Sequence, residues 1–410
     1  MGHGRGQESQ RVDPAPRRHH GMRTPVSHSS KGPLDGYTII DLTRVLAGPY
    51  CTLLLADLGA RVIKVEQPGV GDDARHIGPF VEGDSAYFMS VNRNKESIAL
   101  DLKSADDRQI FESLLQTADV LVENFRPGTM EKLGYVWEAL HERLPRLVYT
   151  SVSGFGQTGP YSKRPAYDMV VQAMGGIMSL TGQPGALPTR VGVSIGDLAA
   201  GLYAAVGTQA ALLQRERTGF GDRVDVAMLD CQVALLENAI SRMQVDGRVP
   251  GPLGSRHPSI TPFDVFRARD GWLVIAAGND AVFRKLCAVL GLHGLIEDPR
   301  FLTNHLRCLH HEALKALIER QLNSAPCADW QEVLMSNDIP TGPYNDLAAV
   351  CNDPQIQSRQ MLIQVQARNG QSLTVAGSPV HVGAHRTPLV RQPPQLDQDR
   401  QAILASIGIS

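Results

Sequence analysis

The stretch "YTIIDLTRVLAGPYCTLLLADLGARVIKVE", residues 37–66, decides the fold. It opens on a short apolar run, Tyr37–Leu42, passes through a loop into an apolar segment that starts a helix near Pro49, and closes on a second run, "RVIKVE". Proline suits the first helical turn, where its missing N–H would have no partner anyway. Strand, helix and strand in that span make a βαβ unit, which calls for a parallel sheet with its ligand site beyond the strand ends.

Working outward, the rhythm continues. Strands are expected at "SIALDL", "VLVENF", "RLVYTSV" and "DRVDVAM", and helices at about Asp106–Thr117, Met130–Leu133 and Leu198–Gln214, with a further helix running to about Met243. A Pro/Gly-rich join, "GRVPGPLGSRHPSITP", leads into "GWLVIAAG" and Leu-rich helices, and the strand-like "MLIQVQA" and "LTVAGSP" point back to the first unit. The expected class is α/β: a Rossmann-like parallel-sheet domain with a smaller α+β domain. The expected division is a disordered extension over 1–32, the first part of the large domain over 33–225, a linker helix over 226–249, the small domain over 250–335, and a return segment over 336–410. Residues 1–32 are basic, proline-containing and without hydrophobic period, and Met22 offers an alternative start.

A dinucleotide site fails its test. Glu66 ends the second strand where a ribose-binding acid would sit, but the first turn offers only Ala47-Gly48-Pro49 and lacks G-x-G-x-x-G. "PGVGDDAR" is Gly-rich without a P-loop pattern and reads as a surface turn.

A net charge of -2 over 410 residues excludes nucleic-acid binding by bulk charge, so an anionic ligand must meet a local cluster. No apolar tract is long enough to cross a bilayer. The six cysteines form no C-x-x-C pair, which fits reduced thiols in a cytoplasmic enzyme and neither a disulfide framework nor a zinc site. His310 and His311 read as a solvated pair, and no metal site is expected.

Two acids each precede an apolar helix: Asp168 in "RPAYDMVVQAMGG" and Asp197 in "RVGVSIGDLAAGLYAAVG". Helix capping and chemistry both fit such positions. Arg44, Arg75, Arg93, Asn94, Lys95, Lys103, Asn124, Arg126 and Lys132 fall near strand ends of the first unit, where a parallel sheet would gather them around a phosphate-bearing ligand; solvated surface charge is the alternative for each.

Seven segments, "DLTRVLAGPY", "ADLGARVIKVEQPG", "NRNKESIALDLK", "VENFRPGTMEKLG", "GFGQTGPY", "AYDMVVQAMGGIMSLTG" and "GDLAAGLYAAVG", resemble in order those of the family III (CaiB/BaiF-type) CoA-transferases. The resemblance runs from Pro33 to the end and includes the dicarboxylate branch of succinyl-CoA:glutarate-type enzymes. It implies an interlocked homodimer, with acyl-CoA and small carboxylic acids as substrates, no tightly bound cofactor, and neither nucleic acid nor membrane as partner. It also implies that Asp197 is the nucleophile, passing through a mixed anhydride and an aspartyl-CoA thioester, with Asp168 a second acid in the site. CoA contacts are implied at Val45, Leu46, Ala47, Leu100, Lys103, Asn124, Phe125, Arg126 and Lys132. Gln67 stands where the family often has Arg, so Arg75 or Lys132 is expected to take over phosphate charge. The glycine-rich lid of the formyl-CoA:oxalate enzymes is replaced by "GSRHPSITPFDVF".

The α-methylacyl-CoA racemases of the same superfamily need two acid/base groups. The resemblance puts Tyr167 where they have His, and Tyr is a poor base near neutral pH. Arg256 or His257 is expected to hold the far carboxylate of a dicarboxylate.

Overall fold

The computed structural model describes residues 1–2, 32–383 and 391–409. Residues 3–31, most of the expected N-terminal extension, lie outside that set. Six parallel strands form the main sheet: β1 (Thr38–Asp41), β2 (Arg61–Glu66), β3 (Lys95–Ala99), β4 (Val120–Glu123), β5 (Val148–Ser153) and β6 (Arg223–Ala227). Their order is β3-β2-β1-β4-β5-β6, every neighbouring pair parallel. Strand order reverses between β1 and β4, and ligands of such sheets bind beyond the carboxyl ends at that point.

Side chains alternate across the sheet. Ile39, Val62 and Val120 face one way, with α1 (Ala47–Asp57) and α4 (Ile195–Thr218) packed over them. Ile40, Ile63 and Leu121 face the other, under Phe111 and Leu114 of α2 (Ala105–Thr117). Burial on both faces explains why these strands read as continuous apolar runs. Helix α1 begins at Ala47, earlier than expected from Pro49, and nearly all of it is buried.

Two described segments after residue 360 pack on the first unit. The hairpin of Leu362–Gln366 and Ser372–Ala376 packs Val365 and Val375 against Met89, and the helix Arg400–Ser406 places Ile403 in the second face's core. Asp399 and Asp397 accept the backbone N–H groups of Ser97 and Ala99 at 2.9 and 2.8 Å, which covers the free edge of β3.

Two expected boundaries need correction. The 226–249 segment is not one linker helix: β6 occupies its start, followed by α5 (Met228–Ala234) and α6 (Ala239–Asp246). The small unit also extends past 335, because Thr341–Pro343 pairs antiparallel with Trp272–Ala276, which pairs in turn with Phe263–Arg267.

Candidate active site

At the switch point a cavity of about 210 Å³ is lined by Arg44, Val45, Leu46 and Ala47 after β1, Asn124, Phe125 and Arg126 after β4, and by Arg164, Tyr167 and Asp197. A groove of about 180 Å³ adjoins it through Arg44 and Phe125 and carries Leu100 and Lys103. The fold thus gathers most of the expected CoA contacts, scattered over eighty residues of sequence, into two adjoining hollows, one of which Asp197 lines.

Asp197 stands in the first turn of α4 and does not cap it. The residue before the helix, Ser194, makes no side-chain capping bond, and the N–H of Gly196 is instead taken by Oδ1 of Asp168 at 2.8 Å. Capping is therefore the work of Asp168, across from a neighbouring helix, α3 (Asp168–Met174). Oδ2 of Asp168 accepts from the Gln172 amide at 2.7 Å, and Arg190 approaches it to 3.9 Å. Asp197 is left to burial and to a neighbouring carboxylate: both push its pKa up, to about 7. Glycine makes this closeness possible, since a Cβ on Gly196 would lie 2.8 Å from Val171 and 3.0 Å from Asp168 Oδ1, and one on Gly201 would meet the Ala47 carbonyl at 2.6 Å. Tyr87, which the sequence did not single out, feels the same acids: its hydroxyl is pushed up to about 12 by burial and by the charges of Asp197, Asp72 and Asp168.

Beneath the first turn lies a bed of ion pairs that the sequence concealed. Asp41 and Lys95 pair at 3.1 Å, Lys64 and Asp72 at 2.8 Å, all four fully buried. Burial raises Asp41, but Lys95, Lys64 and the hydroxyls of Thr43 and Thr52 outweigh it and hold the carboxyl near 2. Lys95 and Arg93 are accordingly not phosphate ligands: Arg93 is buried against Asp57 at 2.5 Å, and Asn94 donates to the same carboxylate at 3.0 Å. "PGVGDDAR" is not a simple surface turn either, because its Asp72 is 1 % exposed.

Other expected residues fall elsewhere. The guanidinium of Arg75 makes two 2.7 Å bonds to Glu66 and stacks 3.7 Å from the Phe88 ring, so its charge is already matched. That pair also accounts for Glu66 without any ribose. Lys132 is exposed on the short helix Thr129–Lys132 and lines neither cavity. Asn124 exchanges two 2.8 Å bonds with the backbone of Arg44, so it clamps the turn. Arg256 lines a separate cleft of about 750 Å³ in the small unit, beside Lys315 and His311, and His257 stacks on Phe263. His311 corrects the solvated-pair expectation: it is buried, 3.1 Å from Asp264 and 3.2 Å from the Thr261 hydroxyl. Among the described residues no His, Cys, Asp and Glu cluster could hold a metal, and no helix is long and apolar enough to cross a membrane.

A doubly wound parallel sheet with a half-buried aspartate at its switch point is an α/β nucleotide-type fold whose first turn lacks G-x-G-x-x-G. Comparison with known proteins gives the family. Residues 34–400 match the model for CoA-transferase family III, and the chain belongs to that family. It is 48% identical to an acetyl-CoA:oxalate CoA-transferase of Acetobacter aceti, over 91% of this chain and 95% of that one. With a succinate–glutarate CoA-transferase of Agrobacterium fabrum it shares 39%, over 92% and 96%. The crystal structure of a CaiB/BaiF family protein from Brucella suis superposes with a TM-score of 0.81 at 39% identity, covering 92% of this chain and all of that one.

Proposed function

We propose that this enzyme moves CoA from an acyl-CoA such as succinyl-CoA to a dicarboxylic acid through covalent intermediates on Asp197. The observation that carries the reading is a poorly hydrated carboxylate at the wall of the switch-point cavity, beside the first turn. An oxygen of Asp197 attacks the thioester carbonyl, the C–S bond breaks, and a mixed anhydride forms with release of CoA thiolate. Thiolate attacks the aspartyl carbonyl, expelling the donor acid and leaving an aspartyl-CoA thioester. The acceptor carboxylate then attacks that thioester, and the released thiolate takes the acceptor acyl group, restoring the Asp197 carboxylate. Shielding from water protects each intermediate from hydrolysis.

The relatives act on oxalate and on succinate with glutarate, which supports a dicarboxylate acceptor. In this reading Arg256, set in a cleft apart from the Asp197 cavity and with one long hydrogen bond among the described residues, to the Cys308 carbonyl at 3.5 Å, is a cation left available for the far carboxylate. Exposed Leu202, Val206 and Leu213 on α4, with Met169 and Met174 on α3, form an apolar surface suited to a second copy, in keeping with a homodimer. All six cysteines are unbridged, in keeping with the cytoplasm.

The test is mass spectrometry after incubation with succinyl-CoA and trapping with hydroxylamine or borohydride. A modified Asp197 peptide, absent from Asp197→Ala, is expected. No modification, together with exchange of the α-hydrogen of a branched acyl-CoA with solvent deuterium, would replace the transferase by a racemase.

A further inference from the structure

Val45 has a backbone φ of 66°, in the left-handed region. A β-branched residue is held there only when its surroundings enforce it, and such positions concentrate at functional sites. What enforces it is visible on every side of the turn. Lys64 donates to the Thr43 carbonyl at 2.7 Å, and Asn124 grips both the N–H and the carbonyl of Arg44. Oδ1 of Asp72 accepts the N–H of Val45 and of Ala74, each at 2.9 Å. Asp72 is itself fixed twice, by the buried ion pair with Lys64 and by its own N–H, which donates to Glu66 at 2.9 Å. Glu66 is in turn locked by Arg75 and by the Ser97 hydroxyl at 2.7 Å.

We infer that Asp72 is a positioning residue of the active site, holding Val45 in the left-handed conformation that shapes the cavity wall shared with Asp197. A plain buried ion pair would need nothing more than Lys64, and such pairs are often replaceable by apolar residues. Here the second carboxylate oxygen is directed instead at the one strained residue of the turn. The inference rests on the reading that this cavity takes acyl-CoA.

Two double variants isolate the acceptor oxygen. Asp72→Asn with Lys64→Met removes the ion pair yet keeps a side-chain oxygen for the Val45 N–H. Asp72→Ala with Lys64→Met removes both, and neither leaves an orphan charge in the core. Steady-state kinetics with the acyl-CoA varied, and hydrogen exchange at the Val45 amide, are the readouts. The Ala double is expected to raise KM about tenfold, with a smaller change in kcat and faster exchange at Val45. The Asn double is expected to raise KM less than about threefold and to keep the amide protected. Adding Val45→Gly to the Ala double recovers part of KM, because glycine adopts positive φ without strain. Equal KM and equal exchange in the two doubles would overturn the inference and reduce Asp72 to a structural ion. Failure of the native enzyme to bind any acyl-CoA would instead overturn the proposed function, while the exchange difference at Val45 would still decide the clamp.

Discussion

Asp41 and Asp197 are both withdrawn from water near the same first turn, and they end in opposite states. Asp41 has Lys95 at 3.1 Å and two hydroxyls within 2.6 Å, which hold it near 2 despite complete burial. Asp197 is pushed by its burial and by the Asp168 charge to about 7. Burial alone therefore does not set what a carboxylate does; the partners that the fold brings to it do. A compensated acid is scaffold, whereas an uncompensated one retains the free energy that makes it willing to form a bond.

The largest expected effect separates the two roles. Asp197→Ala should lower turnover on the order of 10⁴-fold or more, since on the proposed mechanism it removes the nucleophile, while the protein melts no earlier than the native enzyme. A variant that lost activity only in proportion to its folded fraction would erase the distinction. Next, Lys95→Met takes the ion-pair partner from Asp41 and leaves its charge in the core on the hydroxyls of Thr43 and Thr52 and the more distant Lys64, and should destabilise the fold by about 3–5 kcal/mol in a denaturant titration. Unchanged stability would mean that Asp41 had found other compensation.

The pH dependence sharpens the same contrast. If the Asp197 carboxylate is the reacting form, kcat/KM should rise about tenfold per pH unit below a limb near pH 7 and level off above it. Asp168→Asn removes a charge that raises Asp197, so the limb should move to lower pH. An unmoved limb would show that another group titrates. The smallest effect concerns stability. Because the folded pKa of Asp197 lies above its unfolded value, the folded chain binds the proton more tightly. Stability from this group is complete below about pH 4 and is lost as pH rises toward 7. Asp197→Asn should therefore be more stable than the native protein at pH 8, by about 1 kcal/mol after allowing for partial exposure, with the advantage fading toward pH 4. An advantage that was the same at both pH values would point to packing instead of charge.

Much of the large domain was legible because its information is local. Apolar runs of strand length, each followed by a helical segment, specify a parallel sheet, and both faces of β1 carry the isoleucines that the run contains. Helix ends were less legible: α4 begins at Ile195, three residues before the expected start, because Asp168 supplies its cap from another segment. The polar residues of the bed were the least legible. Lys64 alternates with apolar neighbours in "RVIKVE" as a half-exposed strand residue would, and Asp72 sits in a run of Gly and Asp that ordinarily faces solvent.

By itself the sequence determined the parallel architecture, the absence of a dinucleotide turn and the family resemblance that singles out Asp197, since periodicity and motif order depend on neighbouring residues. Only the tertiary structure decided which charges are free to act. It matched Lys95 with Asp41, Lys64 with Asp72 and Arg75 with Glu66, and it set Asp168 beside Asp197. The physical reason is that a charge in a poorly hydrated interior takes its state from groups a few ångströms away, and the fold drew those groups from distant parts of the chain.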